Sequence, residues 1–436
     1  MKKLRWNKLT STDQEQLMRR PALVDDPELL KRVEEIVELV RTEGDSALRS
    51  LTMEFDQVEL KSLEVTSEEL STADKTLTRT TQNAIVAAAK NIERFHRDQI
   101  PKPISIDTTP GVRCERVIRP IQSIGLYVPG GENPLVSTAL MLAIPATLAE
   151  CPTAVLCSPP NKNGKINAEV LFVAKKYGIR KIFKLGGAQA IAAMAYGTQT
   201  VPKVNKIFGP GNRWVAAAKA HVSRDPSGAA QDLPAGPSEL LVIADGEANP
   251  AFVAADLLSQ AEHGPDSQVI LVTNSESLAD SVANQIVRQK MKLARQAIIE
   301  EALSHSYTLT VTNLEMAVDI ANRYAPEHLI LQIQYPRKLL DQITTAGSVF
   351  LGPWAPETVG DYCSGTNHVL PTYGLARSYS GLGVNDFLRT MTVQELNREG
   401  ITAVGPLAET LAGLEGLEAH RATVTQRLKV LNKMGM

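Results

Sequence analysis

The stretch TAVLCSPPNKNGKINAEVLFVAKKYGIRKIFKLGG, Thr153 to Gly187, decides the fold. TAVLCS is a short apolar and β-branched run stopped by Pro159-Pro160, so it reads as a buried strand. INAEVLFVAKKYG spaces its apolar residues helically, carries two lysines in its last turn and ends at Gly178, so it reads as a helix. KIFKLGG is a second strand. A strand, a helix and a strand in so short a span form a crossover unit, which pairs its strands in parallel and needs cover on both faces.

The pattern extends both ways. Upstream lie the strand QSIGLYVPGG (122–131) and the apolar helix PLVSTALMLAIPATLAE. Downstream come the helix AQAIAAMAYG, the strand VNKIFGPG and the helix NRWVAAAKAHVSR. QDLPAGPSE (231–239) interrupts with Pro and Gly, and the alternation restarts at ELLVIAD and runs to SVFLG (348–352). Two successive α/β units of doubly wound type follow from this. Residues 26–100 are helical in pattern, 353–385 are irregular and rich in Gly, Ser, Thr and Tyr, and the tail from Val393 is helical again. A long irregular segment in a compact chain is usually functional.

Bulk composition excludes several classes. A formal net charge of −2 offers no basic surface, so neither nucleic acid nor an anionic membrane is an expected partner. Leu135 to Ala149, the longest apolar stretch, is broken by Ser137, Thr138 and Pro145 and falls short of the roughly 20 residues that span a bilayer. MKKLRWNKLTSTDQEQL has no apolar run behind its charges, so the expected location is the cytoplasm. Four cysteines, none in a C-x-x-C pair, suit a reducing compartment. CPTAVLC reads as core, with Cys151 and Cys157 as inert thiols.

Doubly wound sheets take ligands outside the carboxyl ends of their strands. Gly130-Gly131, KLGGAQA and FGPGNRW lie there. Glycines let a backbone approach a phosphate, and a helix N-terminus favours negative charge. Trp214 replaces the third glycine of the dinucleotide fingerprint, so tight turns without a ligand stay open as a reading of each loop.

The polar candidates are scattered. Gln260 and His263 share a helix face, with Asp256 a turn earlier as a group that orients them. His263 beside Gly264-Pro265 also suits a helix C-cap. Glu327-His328 stands at a helix-to-strand junction, and only an irregular junction lets adjacent residues face one ligand. A carboxylate beside an imidazole suits acid–base work near neutral pH. Asp361 and His368 flank YCSGTN in the irregular segment, and His420 lies in the tail near Glu415 and Glu418. His96, His221 and His305 read as residues of solvated helix faces. Two histidines, a carboxylate and a further oxygen donor make a first shell for Zn²⁺, but spacing does not choose among the histidines.

LPAGPSE, DLLSQAEHGPDSQ, YAPEHL, GDYCSGTNHVLPT and MTVQEL, in this order, closely resemble the histidinol dehydrogenase family, over essentially the whole chain. The resemblance implies an α/β fold of two Rossmann-like doubly wound parallel-sheet lobes with helical N- and C-terminal extensions. It implies a homodimer with shared active sites and one Zn²⁺ per subunit. The reaction would be the oxidation of L-histidinol to L-histidine through L-histidinal by two NAD⁺, the last steps of histidine biosynthesis. Gln260, His263, Asp361 and His420 would hold zinc, His420 reaching over from the partner's tail. Glu327 and His328 would be the acid–base pair. Ser238, Gln260, His263, His328, Asp361, His368, Glu415 and His420 would contact substrate, and Tyr127, Gln189 and Asn212 would contact NAD. The expected organisation is an extension over 1–25, a first lobe of 26–104 with 238–381 carrying most zinc and acid–base residues, a second lobe of 105–237 on the NAD side, and a tail of 382–436 reaching the partner.

The chemistry divides the work. Oxidising an alcohol needs a base for its hydroxyl proton, here His328. The aldehyde must then be hydrated, with Glu327 activating the water. A metal-dependent hydrolase with Glu327 as base is the alternative, and a thiohemiacetal on Cys363 a further rival.

Overall fold

The computed structural model describes residues 1–20, 26–130, 135–234, 236–433 and 435. Gly131 of the first glycine loop and Ala235 of LPAGPSE lie outside them. By its contacts the chain divides into two units, Met1–Gln99 with Ile121–Asp386, and Ile100–Pro120 with Phe387–Met436.

The first unit carries two all-parallel sheets. One runs Lys181–Lys184, Thr153–Ser158, Ser123–Tyr127, Lys206–Phe208, Ala230–Gln231. The other runs Lys2–Arg5, Tyr307–Thr310, Gln268–Thr273, Glu239–Ala244, His328–Gln332, Ser348–Leu351. Apart from the added edge strand Lys2–Arg5, both have the same order: third, second, first, fourth, fifth in the chain. The doubly wound α/β reading therefore holds in both lobes. Continuous apolar runs such as Leu240–Ala244 and Val269–Val272, buried throughout, are what a sheet covered on both faces selects.

The chain is grouped differently from the sequence expectation in four places. Helices Pro27–Glu43 and Asp45–Asp56 pack on the lobe of 123–231, since Leu29, Val33, Leu48 and Leu51 share one core with Val155, Ile191 and Val215. Their apolar stripes fit that sheet's helices, and periodicity alone does not say which sheet a helix covers. The N-terminal extension carries the expected helix, Ser11–Leu17, but also supplies an edge strand through Lys2–Arg5. Residues 353–385 contain a short helix, Glu357–Tyr362, whose start at Pro356-Glu357 suits a helix N-terminus. His96 is no solvated residue; it is fully buried, with Nδ1 at 2.9 Å from the Ile92 carbonyl and Nε2 at 3.2 Å from Asn367.

The second unit is an antiparallel sheet of Ile104–Thr109, Val112–Pro120 and Leu388–Leu396, with helices Arg398–Leu414 and Glu418–Lys433. MTVQEL is thus strand, because it pairs along its length with Val112–Val117. Gly416, at φ +70°, breaks the two tail helices apart. Among the described residues no helix is long and apolar enough to cross a membrane.

Candidate active site and metal centre

The polar cluster of the first unit forms at the amino ends of two strands. Glu239 opens one and His328 opens its neighbour, where His328 pairs with Leu240. The helix Pro250–Ala261 runs back against its preceding strand, so its carboxyl end brings Gln260 and His263 to the same level. Helix Glu357–Tyr362 brings Glu357 and Asp361, four residues apart and so on one face. Acid–base and metal candidates therefore lie at the strand ends opposite to those the doubly wound rule favours, which in the other lobe carry the glycine loops.

Glu327 is buried, and its Oε2 accepts the Glu239 N–H at 2.8 Å. Burial raises its carboxyl to about 8, against the opposing pull of His328. The His328 Nδ1 donates to the Glu239 carbonyl at 3.3 Å and lies 3.6 Å from Glu327 Oε2. Its Nε2 is buried, stands 3.4 Å from Asp361 Oδ1, and has no hydrogen-bond partner among the described residues. Burial alone lowers an imidazole, but the carboxylates of Glu357, Glu327 and Asp361 outweigh it and lift His328 to about 10. Burial pushes the Asp361 carboxyl up, and His328, with His368 and His263, more than offsets it, leaving Asp361 below the usual range.

Glu357 is the residue that sequence reasoning missed. It is buried, lies 3.8 Å from His328 Nδ1, and with its amide turned to face acceptors Gln260 donates to Glu357 Oε1 at 2.7 Å. Asp256, expected to orient Gln260 or His263, instead accepts from Gln332 at 2.8 Å. The i, i+4 spacing of Glu357 and Asp361 was the available signal. His263, Glu357 and Asp361 each offer one ligand atom, all within 4.8 Å of one another. One nitrogen and two carboxylate donors, with the Gln260 amide adjacent, fit a borderline divalent cation.

His368 lies beside this group, with Nδ1 2.8 Å from the Asp361 carbonyl and Nε2 3.2 Å from Thr138 Oγ1. Ser238 is half-buried just before Glu239. Glu415 and His420 belong to the second unit, exposed on either side of Gly416.

The glycine loops are heavily braced. Gly209, at φ +124°, donates to Asp232 at 2.8 Å, and Lys219 Nζ donates to its carbonyl at 2.9 Å. Lys219 and Asp232 form a buried ion pair. Asn212 caps its helix by accepting the N–H of Trp214 and Val215 at 3.1 and 3.2 Å, so those two donors are spent within the protein. The Tyr127 hydroxyl accepts the Gly187 N–H at 3.1 Å, and burial raises this phenol to about 12. Gln189 is buried in the next helix.

Together the fold and cluster define a two-lobed α/β protein with glycine loops on one lobe and an acid–base, metal-suited cluster on the other. The sequence matches the family model described as histidinol dehydrogenase over residues 19–428. It is 51% identical over 435 residues to histidinol dehydrogenase from Vibrio vulnificus (strain CMCP6), covering 100% of both chains. With the Escherichia coli (strain K12) enzyme of that name it shares 50% over 428 residues, 98% of each chain. The crystal structure of histidinol dehydrogenase from Elizabethkingia anophelis superposes with a TM-score of 0.95 at 46% identity, over 99% of both chains. The chain belongs to the histidinol dehydrogenase family, and so to the oxidoreductases.

Proposed function

We propose that the chain oxidises L-histidinol to L-histidine by way of L-histidinal, passing four electrons to two NAD⁺ as a cytoplasmic, zinc-dependent homodimer. The observation that carries this reading is the buried His328 ring. Its Nε2 has no hydrogen-bond partner among the described residues and lies 3.4 Å from Asp361 Oδ1, while its Nδ1 lies 3.6 Å from Glu327.

In the first step His328 takes the proton of the substrate hydroxyl. In the second Glu327 takes a proton from the water that hydrates the aldehyde. Two adjacent bases suit two successive oxidations better than one base does. Gln260, His263 and Asp361 would hold the metal, with His420 from the tail of a second copy. A divalent cation bound there supplies a template for the substrate's nitrogens and offsets the carboxylate charge that raises His328. NAD⁺ supplies the hydride acceptor, with Tyr127, Gln189 and Asn212 as its contacts. Ser238, His368 and Glu415 orient the substrate.

The exposed apolar face of the tail helix, Leu407, Leu411 and Leu414, supports a second copy as partner. NADH formation from L-histidinol, with and without a chelator, tests the reading. Two NADH per histidine, lost on chelation, is the expected result. A ratio of one would sink the four-electron scheme, and hydrolysis without NADH would favour the metal-dependent hydrolase.

A further inference from the structure

Glu327 and His328 both face the cluster although they are adjacent in the chain. That requires an irregular junction, and the structure shows how it is held. Helix Leu314–Tyr324 ends at Ala325, which takes a left-handed conformation at φ +53°. A residue with a Cβ is strained there, and the helix's last carbonyls have no partners within the helix.

Arg20 meets both needs from a distant part of the chain. One of its terminal nitrogens donates to the carbonyls of Tyr324 at 2.6 Å and Ala325 at 3.2 Å. Its guanidinium stacks 3.7 Å from the Tyr324 ring centroid. The same group forms a two-pronged ion pair with Glu239, both bonds at 2.9 Å, with side chains only 6% and 2% exposed. Glu239 in turn presents its backbone N–H to Glu327 and its carbonyl to His328. Its carboxylate also accepts the N–H of Tyr373, a non-glycine residue at φ +56°. A buried ion pair is seldom favourable against apolar residues of equal volume, so stability alone is a weak reason for this one.

We propose that Arg20 is a positioning residue for the acid–base pair, bracing the Tyr324–His328 junction directly and through Glu239. The proposal rests on the reading of Glu327 and His328 given above. Lysine cannot replace it, because a point charge cannot span two carboxylate oxygens and two carbonyls as a planar fork does.

The test compares the full-length wild type with Arg20→Lys and Arg20→Ala. With L-histidinol, kcat should fall roughly 10–100-fold in both, with KM little changed, as for lost groups that orient a catalytic residue. Guanidinium ion added to Arg20→Ala should restore part of kcat. Hydrogen exchange supplies a readout independent of turnover. The Gly347 and Ser348 amides bond to the carbonyls of Pro326 and Glu327. They should exchange faster in Arg20→Lys, while amides of Val242 and Ile270 keep their protection. A wild type that forms no NADH overturns the functional reading, whereas the exchange result still decides the junction. Wild-type kcat in folded Arg20→Lys, or unchanged exchange at Gly347 and Ser348, overturns the proposal. Should Arg20→Ala fail to fold, Arg20→Lys alone decides it.

Discussion

The Gln260 amide nitrogen donates to Glu357 Oε1 at 2.7 Å, which leaves the amide oxygen as the atom free to face a cation. Glu357→Gln removes the carboxylate that fixes this orientation. We expect divalent-metal affinity to fall roughly 10–100-fold, measured by competition with a chromophoric chelator. Asp256→Asn should leave affinity unchanged, because Asp256 is bonded to Gln332. Equal losses in both variants would place the orienting role elsewhere.

Glu327 is the second prediction. With its carboxyl at about 8, it is mostly protonated at neutral pH and becomes a base only as pH rises. Oxidation of L-histidinal should therefore accelerate as pH climbs through about 8. Glu327→Gln should slow that half-reaction and remove the rising limb, while alcohol oxidation is affected less. A limb that survives in Glu327→Gln would assign it to another group.

The metal-free chain should lose stability as pH rises. Between its ordinary value of 4.5 and about 8, Glu327 keeps a proton in the folded chain that the unfolded chain has released. More protons bound when folded means that stability falls with rising pH across that window. His328 acts in the same direction: its contribution is complete below 6.5 and lost as pH rises through about 10. Thermal melting in chelator should show a midpoint that declines steadily over this range, and added Zn²⁺ should flatten the decline. A midpoint that rises between pH 7 and 9 would contradict this assignment of protons.

Gly209 concerns the other lobe. At φ +124° it holds a conformation that side chains avoid, and a Cβ there would stand 2.1 Å from the Tyr127 carbonyl oxygen. Gly209→Ala should cost about 1–3 kcal/mol of stability from the strained backbone alone. KM for NAD⁺ should rise more than KM for L-histidinol, as steady-state kinetics would show. Equal effects on both would detach this loop from the cofactor.

Much of the fold was legible because strand–helix alternation between Gln122 and Gly352 was clean. What failed was assignment across distance. Helix Pro27–Glu43 reads as amphipathic, yet its partner sheet depends on packing that periodicity does not encode. MTVQEL carries no mark of its antiparallel partner Val112–Val117. At the site, Glu327-His328 and Gln260-x-x-His263 were visible as pairs. Their meeting with Asp361 needs the strand order that sets Glu239 beside His328. Arg20 was invisible, since nothing local in the sequence marks this buried arginine off from an ordinary surface one.

The two sheets share one strand order but work from opposite ends. Glycine loops cluster at the carboxyl ends of one, acid–base residues at the amino ends of the other. Under the proposed function, changes that alter nucleotide preference and changes that alter proton transfer fall on separate loops, each anchored in its own sheet. Such a chain can be retuned in one property with little penalty in the other. A library confined to residues 185–189 and 208–213 tests that assignment by asking whether the choice of electron acceptor changes while proton transfer does not.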